Sequence, residues 1–567
     1  MSNPPRKIVV IGGSAAGPKA ASKARRLDEH ASITLIQKEA DLSMASCGYP
    51  YYVGGVFDDR NQLICTPAGI VRDPVFFDKA KRIDALTRTE AIAIDRAAKT
   101  VACKHLPTGE IRTIPYDKLV IATGASPLYP QVPGNTLDGI QTLHKIGDAD
   151  ALRTLRDQGQ VRRAVVVGGG LIGFEVCEAL HLAGIHTTVI EKTASILPFL
   201  DPDLAKLIEV YVRGNGADII TDNGVAAFLG ENGQLTGVKL DNGTELPCDL
   251  AVVAVGVRPN VGLAREAGLA IGELGGIEVN EYMQTSDSDV YAAGDCVECK
   301  SLITGAKVRA PYGDLANLQG RVIGQNLIEE GSARFPGVTH TGICKIFDYT
   351  VGFTGMSTQS AHAAGFTDIE TATVSGLDIP PYMQGKLMIS KMLADRKTGR
   401  VLGFQSIGPG DVSKRVATVA TAIRGQLTID DLANADLPYA PPYSLALDHV
   451  IVAAHVLENK LLGRVRGVSA AEVKQRVDKG ADCFLLDTRT PQEFEDMRLG
   501  IGETLVPVGA LRDRLGELPE DKDKEIIIYC HSALRGYEAA AMLEARGWRN
   551  VKIMEGGIVA WPYPREK

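Results

Sequence analysis

Lys7-Ile-Val-Val-Ile-Gly12-Gly13-Ser14-Ala15-Ala16-Gly17 and Arg163-Ala-Val-Val-Val-Gly168-Gly169-Gly170-Leu171-Ile172-Gly173 are two versions of one design. Each is a short β-branched strand, a glycine-rich turn and then a helical run, the opening of a βαβ nucleotide-binding unit. The second fingerprint is complete. Gly168 makes the turn, Gly170 lets backbone approach a pyrophosphate, and Gly173 lets the helix pack on the strand. In the first, Ser14 stands at the middle glycine position between Gly12 and Gly17. Two such units in one chain point to two dinucleotides, one delivering electrons and one receiving them.

The residue that ends the next strand reads the ribose. Glu191 follows Thr187-Thr-Val-Ile190, where a carboxylate bonds both hydroxyls and repels a 2′-phosphate, so NADH is expected. Lys192 beside it leaves NADPH open as well. Gln37, followed by Lys38, takes the corresponding place in the first unit; an amide also bonds a ribose, and Glu39 is a substitute.

The whole chain has 567 residues, which at ~150 residues per domain makes about four packing units. With 45% hydrophobic and 23% charged residues, disorder and fibrous structure are excluded. A net charge of −8 argues against general affinity for nucleic acid or anionic lipid, so an anionic ligand needs a local basic patch. Ten cysteines are too sparse for a disulfide scaffold. No apolar stretch approaches the ~20 residues of a membrane span. Residues 1–6 run into the apolar strand with no signal-peptide pattern, so a cytoplasmic protein with reduced thiols and no membrane insertion is expected.

Two later segments, Tyr116-Asp-Lys-Leu-Val-Ile-Ala-Thr123-Gly124 and Thr285-Ser-Asp-Ser-Asp-Val-Tyr-Ala-Ala-Gly-Asp295, together with the fingerprints, resemble the ordered motifs of the FAD/NAD(P)-linked disulfide reductase superfamily over about residues 7–450. The resemblance implies FAD at the first site, held by Gly12, Ser14, Ala15, Ala16 and Gly17, with Gln37, Lys38, Ser46, Thr123, Gly124 and Asp295. It implies a nicotinamide cofactor at Gly168, Gly170, Leu171, Ile172, Gly173, Glu191 and Gly256. Leu171 sits where related peroxidases have an aromatic that covers the flavin face.

Members of that superfamily typically carry a C-x-x-x-x-C pair. Here the matching stretch, Ser43-Met-Ala-Ser46-Cys47-Gly-Tyr-Pro-Tyr51, has one cysteine. A lone thiol cannot close an internal disulfide, so its oxidised form is a mixed disulfide, persulfide or sulfenic acid. The stretch resembles the single-cysteine subgroup of coenzyme A-disulfide reductases, NADH oxidases and NADH peroxidases. A flavin edge and a helix N-terminus near Cys47 are expected to favour its thiolate. Ser46 stands where that subgroup has asparagine.

Lys19, Lys23 and Arg26 fall on one helical face, read either as a solvated stripe or as a coenzyme A contact. The resemblance favours the contact for Lys23 and Arg26, with Ser43 as a further substrate-binding residue, and Arg25 is expected to face solvent. Tyr382, Tyr439 and Tyr443 lie in proline-stiffened segments and resemble tyrosines that reach a partner subunit's cysteine, which implies a homodimer. A phenol there can protonate a leaving thiolate.

At the C-terminus, Leu486-Asp-Thr-Arg-Thr-Pro-Gln-Glu-Phe494, Tyr529-Cys530-His-Ser-Ala-Leu-Arg535 and Glu555-Gly-Gly-Ile-Val-Ala-Trp561 resemble a rhodanese domain. Six residues from Cys530 to Arg535 suit a sulfur rather than a phosphate, with backbone N–H groups turned inward. Cys296-Val-Glu-Cys299 has no second cysteine or histidine pair at finger spacing, so no metal is expected. The remaining cysteines (65, 103, 177, 248, 344 and 483) read as structural.

The expected fold is α/β throughout: an FAD-binding domain in two parts (1–150 and 281–340), an NAD-binding domain (151–280), an α+β dimerisation domain (341–462) and an α/β rhodanese domain (468–567). The domain order resembles fusions of coenzyme A-disulfide reductase or NADH-dependent persulfide reductase with rhodanese. The expected activity is NADH-dependent reduction, through FAD and Cys47, of coenzyme A persulfide, polysulfide or coenzyme A disulfide, with Cys530 handling sulfane sulfur. The alternatives are an NADH oxidase or peroxidase cycling through a Cys47 sulfenic acid, and a non-enzymatic redox sensor that binds coenzyme A.

Overall fold

The strand Lys7–Ile11 is apolar from its second residue onward, and such a run is stable only where both faces are covered. In the computed structural model, which describes residues 5–567, Ile8, Val9, Val10 and Ile11 are all buried. The expectation about the N-terminus falls partly on residues 1–4, outside the described ones. Lys7–Ile11 is the centre of a five-stranded parallel sheet in the order Val290–Ala292, Lys118–Ile121, Lys7–Ile11, Ser32–Ile36, Ile83–Leu86. Its edge strand comes from beyond the second fingerprint, so the chain leaves this domain and returns to complete it.

The helix Ala16–Leu27 packs closely on Gly313–Asn326. Glycine makes this approach possible: a Cβ at Gly320 would lie 2.4 Å from the Ala16 carbonyl oxygen, and one at Gly324 2.5 Å from that of Ala20. The second fingerprint strand, Arg163–Val167, pairs in parallel with His186–Ile190 and Leu250–Val253, and the latter with Ile140–Gln141.

The chain divides into two compact units, residues up to 192 with 222–338, and 193–221 with 339–567. Segment 193–221, read from sequence as part of the NAD-binding domain, thus groups with the later domains. In the second unit an antiparallel sheet runs Thr341–Ile346, Tyr349–Gly355, Val401–Gly408, Leu387–Asp395, Ile369–Leu377. The helices Val412–Arg424 and His449–Leu461 pack on it. A second, parallel sheet follows in the order Gly467–Val468, Val551–Met554, Glu525–Tyr529, Cys483–Asp487, Thr504–Leu505.

The last domain is fastened to the strand Ile369–Leu377. Glu555 accepts the Thr373 N–H at 2.8 Å, the Ser375 hydroxyl donates to the Gly556 carbonyl at 2.7 Å, and Lys460 bridges Glu370 and Glu555. Lys460 and both carboxylates are mostly buried. Truncating one such partner strands the others' charge, so this is a fixed joint rather than a hinge.

Beneath it His449 is 4% exposed and its Nδ1 has no hydrogen-bond partner among the described residues. Burial first, then the Arg415 guanidinium, pushes its pKa down to about 4. The folded pKa lies below the unfolded one, so stability is full above about pH 6.5 and falls as the pH drops toward 4. The expected loss is up to about 3 kcal/mol. Denaturant midpoints at pH 7.5 and 5.0 check this, because His449→Gln should show a smaller fall than the native chain.

Candidate active site

The two glycine turns solve one steric problem in the same way. A Cβ at Gly17 would lie 1.9 Å from the Gly12 carbonyl oxygen, and one at Gly173 2.0 Å from that of Gly168. Gly12 and Gly168 themselves have φ of +111° and +112°, a region that glycine alone adopts freely. At the middle position a Cβ on Gly170 would meet nothing within 4 Å. The space at the start of the helix Leu171–Leu182 is therefore open to a ligand, as a pyrophosphate on a helix N-terminus requires. Leu171 is half-buried and Ile172 exposed at that opening. In the first turn Ser14 and Ala15 are half-buried ahead of the helix that starts at Ala16.

Behind each turn a strand-end side chain holds the loop. Glu191 Oε2 accepts the Gly169 N–H at 2.8 Å, and Gln37 Oε1 accepts the Gly13 N–H at 2.9 Å. The amide of Gln37 thus takes the loop-holding role of the carboxylate. Lys38 pairs with Glu90 and Glu39 with Lys145, both at 2.7 Å on the surface. Thr123 donates to the Asn260 carbonyl at 2.6 Å and accepts from its side-chain amide at 2.9 Å. Gly124 (φ +65°) and Gly256 (φ +103°) turn the chain after Lys118–Ile121 and Leu250–Val253. Asp295 has no hydrogen-bond partner among the described residues, and burial raises its pKa. A desolvated carboxylate in that state calls for a donor, which the hydroxyls of a polyol chain supply, so these residues fit FAD.

Cys47 lies on the 3-10 turn Ser46–Gly48, immediately before the short helix Tyr49–Gly54, and is exposed. A Cβ at Gly313, the first residue of Gly313–Asn326, would lie 3.7 Å from its sulfur. The protein groups raise the Cys47 pKa, desolvation first and then the charges of Glu175, Asp295 and Asp314, against the Ser46 hydrogen bond. The expected thiolate preference is therefore not met by the polypeptide itself, because desolvation, with three carboxylates adding to it, outweighs one hydroxyl. Glu175, which sequence reading missed, sits in the second fingerprint helix. Burial first, with Glu178 adding, pushes its pKa up to about 7, while the Tyr51 hydroxyl at 3.4 Å opposes. The available signal was a carboxylate between apolar residues on a fingerprint helix.

On the first fingerprint helix Lys19 and Lys23 are half-buried and Arg26 is exposed. The pKa of Lys81 is lowered by burial and then by Arg26, Arg72 and Lys19, so these four cations gather in one patch. Lys23 packs its stem beside Gly324. Ser43 joins the patch to the redox loop: its N–H donates to the Gly13 carbonyl at 2.7 Å and its carbonyl accepts from Arg72 at 3.0 Å. Arg25 does not face solvent. It is 7% exposed and donates to the carbonyls of Asp28, Glu29, Ala31, Lys81 and Arg82. Two chain segments end there with unpaired carbonyls, and only a five-donor guanidinium satisfies them together.

In the second unit Tyr382, Tyr439 and Tyr443 are 73%, 54% and 71% exposed. Cys530 is buried and accepts the Ala533 N–H at 3.1 Å. Ala533 takes φ +87° to turn that N–H inward. The helix Leu534–Glu544 starts before the cradle ends, so Arg535 stands in its first turn and binds Glu493 through two 2.7 Å bonds. Of the other cysteines, 103, 177, 248, 296, 299 and 344 are buried and 65 and 483 are half-buried. No metal-binding cluster occurs among the described residues.

Because the Glu175 charge disfavours the Cys47 thiolate, Glu175→Gln should speed alkylation of Cys47 by iodoacetamide at pH 8 about three- to tenfold. The step near pH 7 in the native rate profile should disappear with it. Mass spectrometry of the Cys47 peptide provides the measurement.

Comparison with known proteins places this geometry. A pyridine nucleotide-disulphide oxidoreductase model matches residues 6–313, the dimerisation-domain model of the same group matches 341–451, and a rhodanese-like domain model matches 469–562. The NADH oxidase of Methanocaldococcus jannaschii is 32% identical, covering 80% of this chain and 99% of its own. The NAD(P)H coenzyme A polysulfide/persulfide reductase of Pyrococcus horikoshii is 34% identical with the same coverage. The structure of an NAD-dependent persulfide reductase from A. fulgidus superposes with a TM-score of 0.93 at 42% identity, covering 98% of this chain and 100% of its own. The chain therefore belongs to the pyridine nucleotide-disulphide oxidoreductase family, with a rhodanese-like domain at its C-terminus.

Proposed function

We propose that this chain is an NADH-dependent reductase of coenzyme A persulfide, polysulfide or coenzyme A disulfide, acting as a homodimer through the single thiol of Cys47. The observation that carries the proposal is one exposed cysteine facing the start of Gly313–Asn326, in a chain that also holds a rhodanese cysteine. The persulfide reductase of A. fulgidus matches along essentially the whole chain, whereas the oxidase relative is used up within 80% of it. An oxidase cycling through a sulfenic acid has no use for a sulfur-carrying loop.

When bound, FAD relays two electrons from the nicotinamide to sulfur. The chain's own part is to hold and polarise the substrate. The Cys47 thiolate attacks the coenzyme A sulfur of CoA–S–SH, forming Cys47–S–S–CoA and releasing HS⁻. With CoA–S–S–CoA the same attack releases CoA–S⁻ and gives the same mixed disulfide. Two electrons and a proton then return the Cys47 thiolate and CoA–SH. Lys19, Lys23, Arg26, Arg72 and Lys81 form the basic surface for the phosphates of coenzyme A. Tyr382, Tyr439 and Tyr443 are proton donors offered to a partner subunit. Glu191 supports NADH over NADPH.

Two experiments test this reading. Cys47→Ser should retain reduction of the bound cofactor by NADH in stopped-flow absorbance yet lose turnover of coenzyme A persulfide and disulfide by at least ~10³-fold. Retained turnover overturns the assignment. Joint replacement of Lys23 and Arg26 by alanine should raise the KM for coenzyme A persulfide about tenfold or more while leaving that for inorganic polysulfide nearly unchanged.

A further inference from the structure

The cradle around Cys530 carries charges that a sulfur-transfer loop does not need in order to fold, and their pairing bears on which sulfur donor it accepts. Arg535 is the cation closing the loop, the group that would meet an anionic donor. Both of its terminal nitrogens are taken by Glu493, Nη1 to Oε2 and Nη2 to Oε1, at 2.7 Å each. Glu493 is itself held in place: its Oε2 also accepts the Thr490 N–H at 2.9 Å and the Thr490 hydroxyl at 3.0 Å, closing the N-terminus of Pro491–Asp496. Arg535 and the two Thr490 contacts keep the Glu493 carboxyl well below the usual range, at about 2, so the pair stays charged at any working pH.

The other charges nearby are paired off in the same way. The groups that act on His531, next to Cys530, are Glu493, Arg535, Arg489 and Arg565. Arg489 is buried and bound to Asp487 through Nε and Nη2. Arg565 donates to the Trp561 carbonyl at 2.6 Å and to the Met497 sulfur at 3.5 Å, with no carboxylate partner among the described residues. Desolvation, then the guanidiniums against the opposing charge of Glu493, lowers the pKa of His531 and favours its neutral ring. Asp487 and Glu493 thus neutralise Arg489 and Arg535, and Arg535 is also the guanidinium that acts on Cys530. With those two guanidiniums neutralised, a dianion brought into the loop is left with more uncompensated charge than a monoanion or neutral donor, and burying uncompensated charge is costly.

We propose that Glu493 is a specificity-determining residue: by neutralising Arg535, the guanidinium that acts on Cys530, it disfavours the dianion thiosulfate and turns the loop toward hydropersulfide donors. This rests on reading Cys530 as a sulfur carrier. In the step, the Cys530 thiolate attacks the outer sulfur of R–S–SH, the R–S bond to that sulfur breaks, and the products are Cys530–S–SH and R–S⁻. The reacting persulfide group brings at most one negative charge into the cradle where thiosulfate brings two, and no external oxidant or reductant is needed.

The test uses the full-length protein with glutathione hydropersulfide and thiosulfate as donors, following the gain of one sulfur on the Cys530 peptide by quenched-flow mass spectrometry. The native chain should be persulfidated at least about tenfold faster by the hydropersulfide than by thiosulfate at equal concentration, a discrimination within reach of one rearranged charge contact. Glu493→Gln keeps an oxygen for the Thr490 cap and releases Arg535, and should shift the ratio at least about tenfold toward thiosulfate. Thr490→Ala, which loosens the helix cap and leaves Glu493 charged, should keep the native ratio. A native ratio near one overturns the proposal, whatever the variants do. So does a folded Glu493→Gln protein with an unchanged ratio, or a Thr490→Ala protein shifted as far as Glu493→Gln. Failure of both donors to place sulfur on Cys530 overturns the carrier reading itself, and the specificity proposal with it.

Discussion

Backbone pressed against backbone is the constraint on which the rest of this structure depends. At Gly17 and Gly173 the room for a side chain is already filled by the carbonyl oxygens of Gly12 and Gly168. At Gly320 and Gly324 it is filled by Ala16 and Ala20. Those contacts let the helix Ala16–Leu27 lie close against its strand and against Gly313–Asn326. The start of Gly313–Asn326 in turn meets the sulfur of Cys47. A single added methyl at any of these places would push apart elements whose ends form the site, at a cost typical of overpacking, roughly 1–3 kcal/mol.

Charge is distributed with a consistent logic across the first unit. Lys19, Arg26, Arg72 and Lys81 gather in one patch, while Glu175, Asp295 and Asp314 act on Cys47. The three carboxylates add to desolvation in raising the Cys47 pKa, which disfavours its thiolate. Glu175, poised near neutrality, connects the two fingerprints chemically, because it stands on the second fingerprint helix and acts on the thiol beside the first.

The second unit shows how a sulfur-carrying domain is attached without freedom to swing. Lys460, Glu370 and Glu555 form a largely buried charge cluster, and Glu555 and Gly556 also bond the strand Ile369–Leu377. Directly after them, Gly557 has no room for a Cβ, which would lie 2.4 Å from the His531 carbonyl oxygen. The segment that anchors the domain therefore also shapes the cradle of Cys530.

The two βαβ units, the lone Cys47, the Lys19–Lys23–Arg26 face and the Cys530 cradle were legible in the sequence, because each is local: strand, turn and helix follow one another within a few residues. The chemistry expected of them was legible through resemblance to a known family. Arg25 was misread because its five carbonyl partners belong to two segments that meet only in the folded chain, and helical periodicity carries no information about them. The return of Val290–Ala292 to the first sheet, the grouping of 193–221 with the second unit and the joint at Lys460 are likewise pairings between residues far apart in sequence. The same holds for charge. Sequence named Cys47 and Arg535, but only tertiary structure set Glu175 and Asp295 against the one and Glu493 against the other. Sequence by itself determined which groups this protein possesses, since turns and helices form from neighbours; tertiary structure decided their protonation and pairing, since electrostatic energy depends on distance and burial that arise only when the units close.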